Sequence, residues 1–375
     1  SVTAGTSVAV SGNSATATGL KPDTTYTFGV FTKVGAFWVG PVVATAKTFS
    51  PAYVDRLALL KIKYDNHPEL FTKWTGVNHC NWERVTCENG RVTQLDLDQS
   101  GISILPAEIG NLSELWHLDL ANNRLSNLPT EIGKLSKLGS LRALDNKLTS
   151  VPSSLGNLKW LYDLDLRYNQ ISSLPESIWS LTNLERLALD GNGLTDVPSE
   201  IGNLKNLTSL SLGENKLKSV PAQVWNLTKL YSLYLHENQL TSVPSVIANL
   251  SRLEHLELGY NQLSSAPTEI GKLTNLSYLG LNGNKLSTVP TSFGKLTNLY
   301  NLYLQDNQLA GDVSAWAEPL RKADTIAYLS LGGNKCLNAG GNVALQNWLT
   351  SFTYQASSNG DETGSIGNPD WRDGC

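Results

Sequence analysis

Tyrosine and histidine side chains recur between leucines in the second half of the chain. Each lies one, two, four or six residues before an asparagine that returns at a constant interval along the chain. An aromatic ring gives a large contact area with few rotatable bonds, and tyrosine adds a hydroxyl, so this set favours a binding surface. The alternative is that tyrosine simply suits the surface of a strand. The set comprises Tyr234, His236, His255, Tyr260, Tyr278, Tyr303 and Tyr328.

Charged residues occupy the same positions, mostly in the first half of the chain. Asp163 is expected to face Arg186, and Asp190 to face Arg167, one repeat apart. Exposed pairs of this kind stabilise a fold by only about 0.2–1 kcal/mol each, so they form either a solvated ladder or a site for a charged ligand. Four charged residues therefore join the seven aromatic residues as candidate ligand contacts: Arg142, Arg167, Arg186 and Glu257.

Catalysis is not predicted for these residues. His236 and His255 lie one repeat apart and at different positions within it, too far for a shared metal or a proton relay. The sequence has neither a GxSxG nucleophile motif nor a phosphate-binding loop. We therefore expect a protein that is not an enzyme and has no cofactor and no metal.

The asparagine period defines the architecture. Nine asparagines follow one another at 23-residue steps from Asn123 to Asn307; Ser100 takes the place one step earlier, and Asn334 follows after a slightly longer step. The surrounding pattern is LxxLxLxxNxL, continued in most turns by xxVPxxIGNL. This pattern resembles the leucine-rich repeat in about eleven turns.

The resemblance implies an α/β solenoid shaped as a horseshoe. Leucines such as Leu299, Leu302 and Leu304 should point inward and stack on their equivalents, with each LxL segment forming a strand of a parallel sheet. The asparagine should be buried and bond the backbone of the bend. Prolines such as Pro290 should precede a short helical turn on the outer side. Side chains between the leucines then line the concave face.

A solenoid needs capped ends. The stretch from Leu59 to Cys87 is similar to the N-terminal cap of plant-type extracellular leucine-rich repeat proteins, and the matching residues are Leu59, Leu60, Lys63, Trp74, Cys80, Trp82, Val85 and Cys87. A helix that includes the start of this stretch should bury one face, formed by Val54, Leu57, Leu60 and Tyr64. A second helix near the C-terminus should turn Leu345, Trp348 and Leu349 toward the last turn.

Four cysteines allow three disulfide pairings. Cys80 and Cys87 lie before the repeats, and Cys336 and Cys375 after them. About ten steps of 4.8 Å separate the two ends by roughly 50 Å, whereas a disulfide needs Cα atoms within about 7 Å. The pairs Cys80–Cys87 and Cys336–Cys375 are therefore predicted, and a zinc site shared between the ends is excluded.

The first fifty residues follow a different pattern. A β-rich run at 25–31 precedes VGAFWVGPVVATAKT, which predicts a second and a third strand. Leu20, Pro22, Thr24 and Tyr26 resemble the back half of a fibronectin type III domain, whose tyrosine forms a corner. Such a domain needs about 100 residues, so either its front half is missing from this chain or another segment completes it, including one from a neighbouring copy.

Composition and the segments together set the expected domains and class. They are a fibronectin-like segment at 1–49, an N-terminal cap at 50–90, repeats at 91–335 and a C-terminal disulfide cap at 336–375. A net charge of −4 does not suit nucleic-acid binding, and no run is long enough to span a membrane. Because the chain contains no methionine, we expect a processed or trimmed product.

These features predict an extracellular, secreted or cell-surface recognition protein of adhesion or receptor type. Its concave face would bind a macromolecule, with a protein ligand favoured and a glycan as an alternative. A different class is a structural subunit of a surface fibre, which would self-associate through residues 1–49.

Overall fold

A computed structural model of the 375-residue chain describes residues 7–11, 14–18, 20–21, 23–34 and 37–352. The N-terminal part forms two antiparallel hairpins. Strand β1 (Ser7–Ser11) pairs with β2 (Ser14–Thr18), and β3 (Thr25–Val34) pairs with β4 (Phe37–Lys47).

The hairpins correct one detail of the prediction. The expected second and third strands form a single strand, β4, which runs through Pro41. The hydroxyl of Tyr26 accepts a hydrogen bond from the backbone N–H of Lys21 at 2.7 Å. A corner of this kind fits the resemblance to a fibronectin type III domain, which stays a prediction.

The repeats build one sheet of twelve strands. Its strands are β5 (Val85–Glu88), β6 (Arg91–Asp96), β7 (His117–Asp119), β8 (Ser140–Arg142), β9 (Asp163–Asp165), β10 (Arg186–Ala188), β11 (Ser209–Ser211), β12 (Ser232–Tyr234), β13 (His255–Glu257), β14 (Tyr278–Gly280), β15 (Asn301–Tyr303) and β17 (Tyr328–Ser330). Strands β5 and β6 are antiparallel, and all later neighbours are parallel.

The leucine spacing fixes the register of this sheet. The central leucine of each strand pairs with its equivalent one turn away, as Leu233 does with Leu256 and Leu256 with Leu279. All three are completely buried. Because side chains alternate between the two faces of a strand, the residues on either side of each leucine form columns on the opposite, open face. This arrangement confirms the predicted solenoid.

A 3-10 turn lies opposite each strand in most repeats. A proline at the N-cap of each turn supplies its fixed backbone angle, for example Pro267 before Thr268–Lys272. The turns span Ala107–Asn111, Thr130–Lys134, Ser153–Asn157, Glu176–Ser180, Ser199–Asn203, Ala222–Asn226, Ser245–Asn249, Thr268–Lys272 and Thr291–Lys295.

The repeated asparagine joins each turn to the one before it. Asn261 is typical: its Oδ1 accepts from the backbone N–H of Leu240 at 2.9 Å, and its Nδ2 donates to the carbonyls of Leu235 at 2.9 Å and Leu258 at 3.1 Å. Asn261 is 7% exposed, so water cannot readily replace it. The predicted role of the asparagines is therefore confirmed, and it extends to bonds between turns.

The N-terminal cap contains helix α1 (Pro51–Asp65), and the predicted buried face of this helix is wrong. The helix buries Asp55, Ala58, Leu59 and Ile62, while Leu57 and Tyr64 are exposed. The cause is Asp55, which accepts two hydrogen bonds from the guanidinium of Arg91 and one from the backbone N–H of Val92, all at 2.9 Å. This buried carboxylate turns the helix toward β6.

A disulfide also closes this cap. Cys80 and Cys87 are bonded, with Cα atoms 5.5 Å apart. The second predicted pair involves Cys375, which lies outside the described residues, so the pairing of Cys336 with Cys375 stays a prediction.

The C-terminal end departs from the regular repeat unit. The longer step between Asn307 and Asn334 contains β16 (Gly311–Asp312), which pairs with β18 (Leu337–Asn338), and helix α2 (Ser314–Ala323), which takes the place of a 3-10 turn. Helix α3 (Val343–Ser351) buries Leu345 and Leu349, with Trp348 packed against the core, as predicted. Within the described residues, no helix has the length and apolar character needed to cross a membrane.

Replacing Asn261 by alanine should destabilise the fold strongly, because one backbone donor and three backbone acceptors of the buried bend lose a hydrogen-bond partner. We expect a loss of about 2–4 kcal/mol in the free energy of unfolding, measured by urea denaturation. Asn298→Ala is the matched control: its Nδ2 also bonds a carbonyl of the previous turn, that of Thr274, but the residue is exposed. Equal losses from the two variants would contradict the structural role of the buried column.

Candidate functional site

The open face of the sheet is built from the columns one, two, four and six residues before each asparagine, and is called here the concave face. In its second half, four rings follow one another across β12 to β15 and form an aromatic ladder: Tyr234, His255, Tyr278 and Tyr303. Ring centroids are 4.6 Å apart for Tyr234 and His255, 3.9 Å for His255 and Tyr278, and 5.3 Å for Tyr278 and Tyr303. The His255 and Tyr278 rings are nearly parallel, at 11°.

The ladder rings are neither core nor fully exposed. All four are half-buried. His255 and Tyr278 each contact a ring on both sides, whereas Tyr234 and Tyr303 end the ladder and contact one ring each. The leucines already fill the interior, so the rings are free to contact a partner. This is the arrangement that the sequence predicts, with stacking as an added constraint.

A glycine makes room for the carboxylate beside the ladder. A Cβ on Gly280 would lie 2.1 Å from Oε1 of Glu257. Glu257 uses this space to accept a hydrogen bond from the backbone N–H of Gly259 at 2.9 Å and to interact with the hydroxyl of Tyr278. The carboxylate thus fixes the middle of the ladder.

Burial changes the protonation of two ladder residues. It lowers the pKa of His255 from 6.5 to about 4, with a smaller contribution from the nearby His236. It also raises the pKa of Tyr278 well above its usual value, helped by the negative charge of Glu257. At neutral pH both rings are uncharged, which suits stacking and apolar contact.

The ladder lines a depression of about 490 Å³. Seven of the predicted contacts meet there: Tyr234, His236, His255, Glu257, Tyr260, Tyr278 and Tyr303. Three further residues line it that the sequence analysis did not single out: Glu237, Asn282 and Gln305. They lie in the same columns, but nothing in their residue types marked them as more than surface polar groups.

The column next to the asparagine has an unusual backbone. Its residue adopts a left-handed conformation in turn after turn, with φ of 53° at both Tyr168 and Tyr260 and 50° at Glu237. Glycine fills the same place at Gly191 and Gly283. Large residues pay a conformational penalty there, and the conformation turns Tyr260, 53% exposed, onto the rim of the depression.

A second depression of about 350 Å³ adjoins the first, and Tyr234 and His236 line both. It contains Arg167 and Arg186 of the predicted contacts, together with Asp163 and Asp190. Arg186 lies 3.7 Å from Asp163, as predicted.

The predicted pairing of Arg167 with Asp190 is wrong. Arg167 instead binds Asp165 of its own turn through two hydrogen bonds, of 2.9 and 2.7 Å. Asp165 and Asp190 are also buried, not solvated as expected. The two-residue spacing lets Asp165 grip the adjacent backbone N–H and the guanidinium together, which leaves Asp190 outside the pair.

Two of the predicted contacts lie outside both depressions. Arg142 is paired with Asp119 of the previous turn at 3.1 Å. Tyr328 lies one turn beyond the ladder, and its ring packs edge-on against Tyr300 at 5.8 Å. The structure therefore brings nine of the eleven predicted residues into two adjoining depressions.

A group of metal-ligand type occurs at the N-terminal cap. His79, Cys80 and Cys87 place one ligand atom each within 4.8 Å of one another. Both sulfurs belong to the disulfide, so the described residues offer no thiolate for a metal at this place.

Comparison with protein families agrees with the repeat geometry. Models described as leucine-rich repeat match residues 114–135, 140–194 and 251–309, and one described as leucine-rich repeat region matches 186–265. A leucine-rich repeat N-terminal domain matches residues 53–88. The chain is therefore built from leucine-rich repeats behind a leucine-rich repeat N-terminal domain. A comparison with curated proteins gives no significant match.

Solved structures with similar folds include plant receptor ectodomains. The Arabidopsis receptor kinase HAESA ectodomain, solved with an IDA peptide hormone ligand, is 29% identical with a TM-score of 0.68, covering 76% of this chain and 50% of that chain. A TDR receptor is 32% identical with a TM-score of 0.61, covering 66% and 44%. PEPR1–AtPEP1 is 30% identical with a TM-score of 0.57, covering 75% and 48%. This chain thus spans half or less of the length of each.

The lowered pKa of His255 predicts a pH-dependent stability. Unfolding returns this pKa from about 4 to about 6.5, so the unfolded chain binds the proton more tightly. The contribution of His255 is complete above pH 6.5 and declines as the pH falls toward 4. We expect the thermal midpoint of His255→Gln to fall less than that of the parent protein between pH 7 and pH 4.5.

Histidine NMR provides the direct measurement. The His255 ring resonance should titrate with a midpoint near 4, and His255→Gln identifies the resonance by its loss. A midpoint near 6.5 would show that the ring is not desolvated in the ladder.

Proposed function

We propose that this chain is a recognition module that binds a protein or peptide ligand on its concave face. The observation that carries the proposal is the aromatic ladder, in which four half-buried rings line one depression while other apolar residues, mainly leucines, fill the core. Exposed aromatic residues that are held rigidly bind partners with little loss of side-chain entropy.

Two further findings support this proposal. The Arabidopsis HAESA ectodomain, whose fold is similar, was solved with a bound peptide hormone, and in one structure also with a co-receptor. The disulfide Cys80–Cys87 suits an oxidising compartment. We therefore place the chain outside the cell, either secreted or at the cell surface, with the candidate contacts of the sequence analysis as its ligand-binding residues.

The two halves of the concave face would contribute differently to ligand binding. The ladder supplies apolar contact area and neutral polar groups, because the pKa values of His255 and Tyr278 keep both uncharged at neutral pH. The first half supplies charges that are mostly paired already. A ligand would thus gain most of its binding energy on β12 to β15.

Peptide selection gives the test. Peptides that bind the immobilised chain are selected from a random library displayed on phage, and the affinity of the best peptide is measured by calorimetry. Tyr278→Ala should weaken binding by about 2 kcal/mol, or roughly thirtyfold, as removal of a central aromatic anchor does.

Tyr162→Ala is the matched control. Tyr162 is also a tyrosine on the repeats and is exposed, but it lies seven residues before its asparagine, outside the concave columns. Its removal should change the affinity by less than about twofold, and circular dichroism checks that both variants fold. If Tyr278→Ala folds and binds as the parent does, the concave ladder is not the binding surface. Binding of arrayed glycans instead of peptides would point to the alternative ligand class.

A further inference from the structure

The depression beside the aromatic ladder contains two buried polar atoms that have no hydrogen-bond partner. Five side-chain atoms of this kind occur among the described residues, and two of them, Oδ2 of Asp190 and Nδ1 of His236, line this one depression. Asp190 is 4% exposed. A buried polar atom without a hydrogen-bond partner destabilises a fold, so two such atoms in one depression require an explanation.

Asp190 uses only one of its two oxygens within the chain. Its Oδ1 accepts from the hydroxyl of Ser211 at 2.5 Å and from the backbone N–H of Gly213 at 2.9 Å. Arg167, which the sequence predicts as the partner of Asp190, is instead paired with Asp165. The carboxylate is therefore held in a fixed orientation while its second oxygen remains unpaired.

The His236 ring lies over Gly213, the residue whose backbone N–H bonds Asp190. Asp190, Gly213 and His236 occupy one column in three successive turns. A Cβ on Gly213 would lie 2.3 Å from Cε1 and 2.6 Å from Nδ1 of His236, so the imidazole leans over the glycine into space that any side chain would fill. Both unpaired atoms thus lie beside one residue.

The two unpaired atoms, Oδ2 of Asp190 and Nδ1 of His236, both act as hydrogen-bond acceptors and would bind a donor. Nε2 of His236 faces Oε1 of Glu214 at 3.9 Å, which favours a proton on Nε2 and leaves Nδ1 as an acceptor. The carboxylate oxygen of Asp190 is an acceptor as well. Three carboxylates, of Asp163, Asp165 and Asp190, also face only two guanidinium groups, of Arg167 and Arg186, in this depression.

We propose that Asp190 and His236 bind a cationic group of the ligand, the guanidinium or ammonium of an arginine or lysine side chain. This inference deepens the proposed function and rests on it for the identity of the ligand as a peptide or protein. Tyr234 lines both depressions, so the residue next to the cation would contact the aromatic ladder. Neighbouring side chains cover the two unpaired atoms, and the His236 ring rotates as the cation enters.

The experiment uses small probes and the whole chain labelled with ¹³C in its histidine rings. N-acetyl-arginine methylamide is titrated against N-acetyl-citrulline methylamide, which has the same shape without the charge. The His236 ring resonance, identified by its loss in His236→Gln, reports binding. We expect the arginine probe to bind about tenfold more tightly. A charge-assisted hydrogen bond is about twice as strong as a neutral one, and a gain of that size changes the dissociation constant by about this factor.

Two variants with equal charge change decide whether Asp190 is responsible. Asp190→Asn keeps an oxygen for Ser211 and Gly213 but removes the charge, and it should abolish the preference for arginine over citrulline. Asp145→Asn removes one charge from an exposed residue of the same face, whose left-handed backbone (φ 50°) asparagine tolerates. It should leave the preference unchanged.

Equal binding of the two probes by the parent protein would overturn the inference, as would an equal loss of preference in both variants. Neither result bears on the proposed function, because the probes need no macromolecular ligand. Conversely, if selected peptides ignore the Tyr278 substitution while the arginine preference is retained, the recognition proposal fails and the cation site remains.

Discussion

The repeated asparagine is the constraint on which the rest of the structure depends. Every turn bends sharply after its strand, and the bend leaves backbone groups that cannot reach water. Asn261 and its equivalents satisfy those groups in their own turn and in the previous one. Since an unpaired buried backbone group costs about as much as a lost hydrogen bond, a turn without this side chain would strain the bend on both sides.

The backbone groups of the repeats are hydrogen-bonded within the repeats themselves. The residues of the open face therefore have no role in the core. The leucines pair in register from strand to strand, so residues at one repeat position form a straight column. Stacking along these columns places Tyr234, His255, Tyr278 and Tyr303 within ring contact although each belongs to a different turn. Identical repeats thus form a continuous concave face whose side chains differ from turn to turn.

Much of the repeat architecture could be predicted, because the sequence repeats with a constant period. The parallel strands, the outer turns and the buried asparagines all follow from one repeated unit of constant length. Features that interrupt the period were missed for the same reason. Helix α2 replaces a turn within an insertion that has no repeat to align with.

The details of the site depend on individual side-chain choices. Arg167 had two carboxylates within reach, and only the geometry of its own turn shows that Asp165 binds it. The face of α1 was misjudged because a helical pattern of apolar residues carries no sign that Asp55 is buried by Arg91. Pairings between charged residues are thus the part of this fold that spacing alone cannot assign.

The equal length of the turns also bears on how such a face could diversify. Loss of residues 193–215 by unequal recombination would join Asn192 to Lys216 and keep every leucine and asparagine in register. The frame would be shorter by one turn, yet Asp190 would then adjoin His236 directly, without Gly213 between them. Whole units can therefore be gained or lost while the fold is retained, and each such event creates new neighbours across the groove.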